Sequence, residues 1–369
     1  MKRLLIILFS FALIITLTGM TLLNLSRFGQ SPKGERLERI GQSANYKDGE
    51  FRNLSETPTF TSDKSRFQVM KDFMFRKKIR VTPEDSIPVI KTDIKALNPG
   101  DDVLVWFGHS SYFIRLKGKT FLVDPVFSPY ASPFSFINKA FKGTSVFHAE
   151  DLPAIDYLII THDHWDHLDY QTVLDLKPNV KHIVCGLGVG QHFEHWGFDP
   201  ERISELDWYD GMDIGAGWKL TATPARHFSG RGLKRNKTLW ASFVLKAPDY
   251  NLFIGGDGGY DTHFSAIGEK FGPFDLAIIE QGQYDENWNL IHLLPDQVFK
   301  VAEDLRTKQI LPVHNSKFAL ANHPWDEPLN KITENQSGSD IPVLTPQIGE
   351  PVFLNDSAQT FTRWWKGLM

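Results

Sequence analysis

Four residues with metal-binding side chains lie within six positions near the middle of this 369-residue chain. They form the pattern H-x-H-x-D-H and are His162, His164, Asp166 and His167. His162 and His164 are two apart, so in an extended segment they direct two imidazoles to one position. Asp166 and His167 follow as the chain turns, and they supply a carboxylate and an imidazole to a neighbouring position. Imidazole and carboxylate suit Zn²⁺ and related divalent metals, so the pattern predicts a metal site.

The alternative explanation is a polar loop that is rich in histidine by accident. A chain of this composition contains the pattern by chance in roughly one sequence in a thousand. The loop also begins where the apolar run IDYLII ends, and α/β proteins tend to bind ligands beyond the carboxyl ends of strands. Metal binding is therefore its expected role.

Three later residues are candidates for further ligands because each follows a strand-like run. They are His227 after WKLTATPA, Asp257 at the end of NLFIGGD, and His314 at the end of QILPVH. A lone histidine often has an ordinary hydrogen-bonding role, and Gly-Gly-Asp-Gly-Gly is also typical of a tight turn. Glycines beside Asp257 would give the backbone an unusual conformation there. The recurrence at three strand ends favours ligands, and it predicts seven of them for a dinuclear site.

Short runs rich in β-branched and aromatic residues are the elements that must position these side chains. Helices are predicted between the runs, at Tyr170–Leu176 with Asp169 as its N-cap and at Pro295–Arg306. Strands that alternate with helices indicate an α/β layered domain. The predicted strands lie at 103–107, 112–116, 120–124, 155–160, 182–185, 218–225, 241–245, 251–257, 275–280 and 309–314.

Composition narrows the class of protein. Hydrophobic residues make up 41% and charged residues 23%, as in ordinary globular proteins. A formal net charge of −4 argues against a nucleic-acid partner bound through phosphate neutralisation. The single cysteine, Cys185, excludes an intrachain disulfide and a Cys-based zinc cluster, and we expect it to be buried in a strand.

Residues 4–25 carry no charge and follow Lys2 and Arg3. Their length predicts an uncleaved transmembrane signal anchor, with a cleaved signal peptide as the alternative. Basic residues flank both ends, and we expect the rest of the chain to lie outside the cytoplasm. The basic run at 76–80 is predicted to be a solvated face.

Several segments together resemble the metallo-β-lactamase superfamily, and more narrowly its N-acylphosphatidylethanolamine-hydrolysing phospholipase D family. The resemblance covers roughly residues 100 to 325. The segments are VWFGHSSYFI (105–114), TFLVDPVFSPYASP (120–133), THDHWDHLD (161–169), TPARHFSGRG (223–232), GGDGGY (255–260) and PVHNSKFAL (312–320).

The resemblance implies a four-layered αβ/βα sandwich with the site at one edge of its two sheets. It assigns His162, His164 and His227 to one metal, and Asp166, His167 and His314 to the other, with Asp257 bridging them. It places His292 near a substrate phosphate, although Leu290 and the pair Pro295-Asp296 depart from the family pattern there. His109 and Asp124 match polar positions beside the ligands or the substrate. The candidate catalytic residues are Asp166, His292 and His109.

The implied organisation is an anchor at 1–25, a linker and irregular N-terminal arm at 26–100, and a hydrolase domain at 101–369. The implied reaction is phosphodiester hydrolysis by a hydroxide bridging two divalent metals, with phosphatidic acid and an N-acylethanolamine as products. Zn²⁺ is the expected metal, although Fe and Mn suit the same ligands. A phospholipid or another phosphodiester is the expected partner, and the oligomeric state is open.

Three alternatives stay open at this point. They are a sugar-phosphate lactonase, a nuclease, and a membrane-tethered binding protein without catalysis. The aromatic stretch 125–141 forms either an apolar entry to the site or ordinary loop packing. The basic loop that follows His227 is expected to be solvated, with contact to a phosphate headgroup as the alternative; its members are Arg231, Lys234, Arg235 and Lys237.

Overall fold

A computed structural model describes residues 2–62, 64–75 and 78–369. Two residues of the basic run at 76–80 lie outside the described residues, so its prediction stays a prediction. The α-helices are α1 (Lys2–Leu23), α2 (Gly34–Gly41), α3 (Arg66–Phe75), α4 (Tyr170–Leu176), α5 (Gly190–His195), α6 (His263–Phe271), α7 (Val298–Asp304) and α8 (Glu327–Asn335). Short 3-10 helices lie at Ser26–Phe28, Ala149–Asp151, Pro200–Arg202, Glu286–Trp288 and Gln336–Gly338.

The strands form a short hairpin and two larger sheets. The hairpin pairs β1 (Tyr46–Lys47) with β2 (Glu50–Phe51). The first large sheet contains β3 (Val103–Trp106), β4 (Tyr112–Leu116), β5 (Lys119–Val123), β6 (Ile155–Ile160), β7 (Val180–Gly186), β8 (Ile203–Leu206) and β15 (Pro351–Phe353). The second contains β9 (Gly211–Asp213), β10 (Lys219–Thr223), β11 (Ser242–Lys246), β12 (Asn251–Ile254), β13 (Leu276–Glu280) and β14 (Ile310–Val313).

Both large sheets combine an antiparallel part with a parallel part. The first runs in the order β15-β3-β4-β5-β6-β7-β8 and is antiparallel as far as β5. The second runs β14-β13-β12-β11-β10-β9 and is parallel from β12 to β14. Parallel strands end at the same edge of a sheet, so the loops after them are brought together.

Successive side chains of a strand point to opposite faces of the sheet, so the second sheet contributes to two separate hydrophobic cores. Phe243 and Leu245 of β11 pack into the cluster that also holds the apolar side chains of the first sheet. Val244, between them, faces a separate cluster with residues of α6, α7 and α8. Helices α4 and α5 pack against the first sheet through Val173 and Phe193. The layers are therefore helix, sheet, sheet and helix, which agrees with the predicted four-layered sandwich.

The strand and helix predictions agree closely with the observed elements. Helix α4 has the predicted bounds, and α7 occupies the middle of the predicted Pro295–Arg306. Asp169 is the N-cap residue of α4, but its carboxylate accepts hydrogen bonds from Ser128 N and the Thr172 hydroxyl instead of capping. Cys185 is fully buried in β7, as predicted.

The prediction of a transmembrane anchor is wrong. The N-terminal run is helical, but no helix in the described part of the chain has the length and apolar character that a membrane crossing requires. The single-pass membrane attachment and the extracytoplasmic placement that depended on it are corrected accordingly.

The N-terminal arm lies against the rest of the fold at several points. Arg36 on α2 makes ion pairs with Glu194 at 2.6 Å and with Glu205 at 2.7 Å. Phe51 at the end of β2 is fully buried, and its backbone N donates to Asn236 O at 2.8 Å. The division of the chain at residues 25 and 100 stays a prediction.

Candidate metal centre

The loop at 161–169 leaves the end of β6 and is almost entirely buried. Three imidazole nitrogens converge beside it. His162 Nε2 lies 2.9 Å from His164 Nδ1, and His227 Nε2 lies 3.2 Å from the same atom. His227 comes from the segment after β10, so two sheets contribute to this cluster. We call His162, His164 and His227 the histidine group.

A second cluster mixes carboxylate and imidazole. His167 Nε2 lies 3.5 Å from Asp166 Oδ2, and His314 Nε2 lies 3.3 Å from it. His314 follows β14 directly and is buried. We call Asp166, His167 and His314 the mixed group.

Asp257 lies between the two groups. Its Oδ2 is 3.0 Å from His314 Nε2 and 3.2 Å from His167 Nε2. The same oxygen is 3.9 Å from both His162 Nε2 and His227 Nε2. All seven residues predicted as ligands therefore lie in one buried cluster, with one carboxylate facing both halves.

The glycines around Asp257 serve close packing and not an unusual backbone turn. None of Gly255, Gly256, Gly258 and Gly259 has φ in the left-handed region. A Cβ on Gly259 would lie 2.3 Å from Leu290 O, and one on Gly256 would lie 2.5 Å from Ala241 O. The prediction that these glycines allow an unusual backbone conformation was wrong. This loop requires glycines because a side chain would collide with neighbouring backbone atoms.

Hydrogen bonds from other residues fix the orientation of two of the histidines. His167 Nδ1 lies 2.7 Å from Asp124 Oδ2, and that carboxylate also accepts from Thr161 N at 2.8 Å. His227 Nδ1 donates to Ile291 O at 2.8 Å. In each case Nδ1 is engaged and Nε2 is left for the centre of the site, as in metal-binding histidines. Asp124 thus orients a candidate ligand, His167.

The two groups differ in the pKa values of their imidazoles. Burial lowers the pKa of every imidazole in the histidine group, to about 4 for His164. In the mixed group, burial also opposes protonation, but the Asp257 carboxylate outweighs it. It raises the pKa of His167 well above the ordinary value, and with Asp166 it raises that of His314 to about 10. Despite burial, His167 holds the pKa of Asp166 well below its usual range.

The donor set fits divalent metals. A tetrahedral ion with bonds of about 2.1 Å to nitrogen spaces its ligand atoms by roughly 3.4 Å, close to the distances in the histidine group. His167 Nε2 is buried and makes no well-oriented hydrogen bond within the described part of the chain. Buried polar atoms are normally satisfied, so this nitrogen, which faces the Asp257 and Asp166 carboxylates, is one that a metal ion would satisfy once the imidazole releases its proton.

His109 and His292 occupy different places around the cluster. His109 is fully buried, and its Nε2 lies 2.8 Å from Asp166 Oδ2. Burial lowers its pKa to about 3, so it is neutral beside the mixed group. The His292 side chain is 12% exposed, and it stacks on His314 with ring centroids 5.2 Å apart. Only His292 of this pair lines the pocket described below.

Glu280 is a functional candidate that the sequence pattern did not reveal. It ends β13 and is buried, with Oε2 2.9 Å from His292 Nδ1 and Oε1 accepting from Leu293 N at 2.6 Å. His314 Nδ1 is farther away, at 3.6 Å from Oε2. Both carboxylate oxygens accept hydrogen bonds from the His292 segment, and Glu280 also lies with Asp257, His292 and His314 in a group of donor atoms close enough to hold a metal ion. A charged residue at the end of an apolar strand was its only signal.

A pocket of about 300 Å³ opens onto the cluster. Its polar lining includes His164, Asp166, His227, Asp257, His292 and His314. Its apolar lining comes from Phe60, Val69, Phe228, Trp288 and Leu320, which we call the apolar wall. Phe60 and Val69 belong to the N-terminal arm, which sequence analysis did not connect with the site. No residue of the aromatic stretch 125–141 lines the pocket, which favours loop packing for that stretch.

The basic loop after His227 is not uniformly solvated, contrary to prediction. Arg231 is buried, and its guanidinium donates to Asp163 O, Leu168 O and Arg27 O. Asp163, between the first two motif histidines, is buried and accepts from Gly230 N at 2.6 Å. His192 Nε2 lies 3.1 Å from the other oxygen of Asp163. These contacts fix the loop at 161–169 on the side away from the metal-binding side chains.

Comparisons with known proteins agree with this geometry. Residues 119–315 match the family model described as the beta-lactamase superfamily domain. An uncharacterized protein of Mycobacterium tuberculosis is 34% identical over 329 residues, covering 88% of each chain. The N-acyl-phosphatidylethanolamine-hydrolyzing phospholipase D 1 of Caenorhabditis elegans is 28% identical over 307 residues, covering 75% of this chain and 86% of the relative.

A solved structure shows the same fold. A possible metal-dependent hydrolase from Veillonella parvula superposes with a TM-score of 0.54 at 16% identity, covering 69% of this chain and 99% of that one. The resemblance inferred from the sequence is thereby confirmed. The chain belongs to the beta-lactamase superfamily, has the metallo-β-lactamase fold, and counts N-acyl-phosphatidylethanolamine-hydrolysing phospholipases D among its relatives.

Proposed function

We propose that this chain, a metal-dependent hydrolase of the metallo-β-lactamase superfamily, is a phosphodiesterase of the phospholipase D type. Its expected substrates are lipids of the N-acylphosphatidylethanolamine type, and its products are phosphatidic acid and an N-acylethanolamine. The observation that carries the proposal is a pocket lined by five of the seven candidate metal ligands and by His292, together with the residues of the apolar wall. Such a pocket suits a phosphodiester attached to an acyl chain.

Two divalent metals held by the seven ligands would polarise the phosphoryl oxygens and lower the pKa of a bound water. The protein's own residues orient the reaction. Asp124 and Ile291 fix His167 and His227 with Nε2 directed inward. Glu280 engages Nδ1 of His292, so Nε2 is the nitrogen left to hydrogen-bond a phosphoryl or leaving-group oxygen.

The apolar wall has a separate task. Phe60, Phe228 and Trp288 restrict water at the pocket, and electrostatic interactions strengthen where water is excluded. An N-acyl chain lying on this wall would place the phosphodiester against His292 and the ligands. Relatives from worm and yeast that are named for this activity support the choice of substrate class.

The test is incubation of the purified full-length chain, loaded with zinc, with N-acylphosphatidylethanolamine in ¹⁸O-enriched water. We expect mass spectrometry to detect N-acylethanolamine and phosphatidic acid, with the label in the phosphate because attack occurs at phosphorus. Matched assays use a sugar-phosphate lactone and single-stranded DNA. Cleavage of either of these without cleavage of the lipid would overturn the proposal, and so would a protein that binds no metal. Elemental analysis of the protein as purified, before zinc is added, distinguishes zinc from iron and manganese.

A further inference from the structure

His227 lies in a stretch of chain that no regular element holds. Strand β10 ends at Thr223, and residues 224–231 form neither helix nor strand. A side chain in such a segment is positioned only if its backbone is fixed by other contacts. The backbone of His227 is fixed by a side chain 174 positions earlier in the sequence.

That side chain is the amide of Asn53. Its Nδ2 donates to His227 O at 2.8 Å, and its Oδ1 accepts from His227 N at 3.1 Å. Trp240 Nε1 donates to the same Oδ1 at 3.0 Å, which fixes the orientation of the amide. The amide therefore bonds both polar groups of one peptide residue, and neither a carboxylate nor an apolar side chain reproduces that pairing.

The residues around Asn53 are themselves attached to the site. Arg226, directly before His227, donates from Nε to Thr57 Oγ1 at 3.0 Å and from Nη2 to Glu56 O at 2.9 Å. Its backbone O accepts from Gly259 N at 3.1 Å, close to Asp257. The segment 53–57 thus bonds the chain at 226–227, which in turn bonds the loop that carries Asp257.

We propose that Asn53 is a positioning residue of the metal centre, and that residues 53–57 of the N-terminal arm form part of the scaffold for the histidine group. Asn53 does not line the pocket, so it acts through His227 and not on the substrate. The arm lies outside the residues that match the superfamily domain, 119–315. The inference rests on the proposed metal site and adds to it a residue far from the motif.

Asn53→Asp tests this role because it keeps the shape of the side chain and replaces the donor to His227 O by a carboxylate oxygen. The matched control is Asn45→Asp, also in the arm and equally half-buried, whose Nδ2 donates to Asp207 Oδ1 at 3.0 Å, away from the site. Each change replaces one donor by a carboxylate that faces an oxygen. For the full-length wild type and both variants, zinc affinity is measured by competition with a chromogenic chelator, alongside the Tm of the metal-free protein.

We expect Asn53→Asp to weaken zinc binding about 10- to 100-fold, the range seen when a residue that orients a ligand is lost. Asn45→Asp should lower the Tm to a similar extent and leave zinc affinity within about twofold of the wild type. If both variants lower the Tm alike and neither changes zinc affinity, Asn53 is merely structural and the inference is overturned. A wild type that binds no zinc would instead overturn the proposed metal site.

A second variant, Asn53→Ser, keeps the test possible if Asn53→Asp does not fold. Asn53→Ser keeps an acceptor in the arm but loses the Nδ2 donor and introduces no charge. The same competition assay then decides, with a loss of at least about tenfold expected. Affinity equal to that of the wild type would overturn the inference.

Discussion

The histidine group and the mixed group lie side by side, yet the pKa values of their imidazoles are shifted in opposite directions. Burial keeps the imidazoles of the histidine group neutral, with the pKa of His164 lowered to about 4. In the mixed group, the neighbouring carboxylates raise the pKa of His314 to about 10. The same side chain in equally buried places therefore differs in charge according to whether its neighbours are imidazoles or carboxylates.

The difference bears on how each group takes up a metal. Histidine binds a metal through a neutral nitrogen, so a protonated histidine must release its proton first. The lowered pKa values of the histidine group favour the neutral binding form, whereas the raised pKa values of His167 and His314 favour the protonated form. We infer that the two metal positions differ in affinity and in pH dependence.

The largest expected effect follows replacement of the residue that faces both groups. Asp257→Asn removes the charge shared by the two halves while keeping the volume of the side chain. We expect both metals to be lost together and phosphodiesterase activity to fall about a thousandfold or more, equivalent to at least about 4 kcal/mol of barrier. Elemental analysis and the lipid assay check this, with far-ultraviolet circular dichroism as the control for folding. Loss of one metal only would show that Asp257 belongs to a single group.

The next effect separates chemistry from metal binding. Glu280→Gln keeps a hydrogen-bonding side chain near His292 but removes the carboxylate that orients its ring. We expect kcat to fall about a hundredfold with metal content unchanged, because acid–base groups typically contribute 10²- to 10⁴-fold. His292→Gln should give a loss at least as large. Reduced metal content in Glu280→Gln would instead assign Glu280 to the ligands.

The third prediction concerns pH and tests the comparison directly. Protons on His167 and His314 must leave before a metal binds the mixed group, so its affinity should rise between pH 6 and pH 8. The expected slope is about tenfold per pH unit for each displaced proton. The histidine group is neutral throughout this range, so its affinity should stay nearly constant. Zinc titrations at three pH values resolve the two sites, and equal slopes would remove the distinction.

The smallest effect concerns the contacts behind the metal loop. Gly29 has a φ of 70°, and a Cβ there would lie 2.0 Å from His192 Nδ1, whose ring also contacts Asp163. Gly34 has a φ of 55° and no atom within 4 Å of such a Cβ. Both positions have positive φ, so each Ala variant carries a backbone cost, which is larger at Gly29 because its ψ of −155° lies in a region essentially restricted to glycine; only Gly29→Ala also disturbs His192.

Gly29→Ala should therefore weaken zinc binding by the histidine group a few-fold more than Gly34→Ala does, while binding by the mixed group changes equally in both. The same chelator competition provides the measurement. Equal effects of the two variants on the histidine group would show that His192 does not transmit the change to Asp163.

Much of the centre follows from local patterns. The H-x-H-x-D-H loop and the three later ligands each follow a strand, and parallel strands bring their ends to one edge, so the seven residues were predictable as a group. Helix α4 was predictable from its bounding Asp169 and its apolar spacing. These features depend on residues close together in sequence.

The parts that escaped prediction depend on contacts between distant residues. Asn53 and His227 meet across 174 positions, and no local pattern marks an asparagine as a partner of a metal-binding loop. Phe60 and Val69 reach the pocket through the packing of the arm. Arg231 resembled its solvated neighbours in sequence, but backbone carbonyl groups surround it in the fold. The N-terminal run has helical character, but its apolar stretch was misread as a membrane anchor.

The glycine-rich turn around Asp257 has a consequence for attempts to alter the enzyme. Even a single methyl group on Gly256 or Gly259 would collide with backbone atoms, which cannot move as a flexible side chain can. Libraries intended to change substrate choice should therefore leave 255–259 fixed and vary the apolar wall at Phe60, Val69 and Trp288. Variation there would reshape the pocket while the candidate metal ligands keep their places.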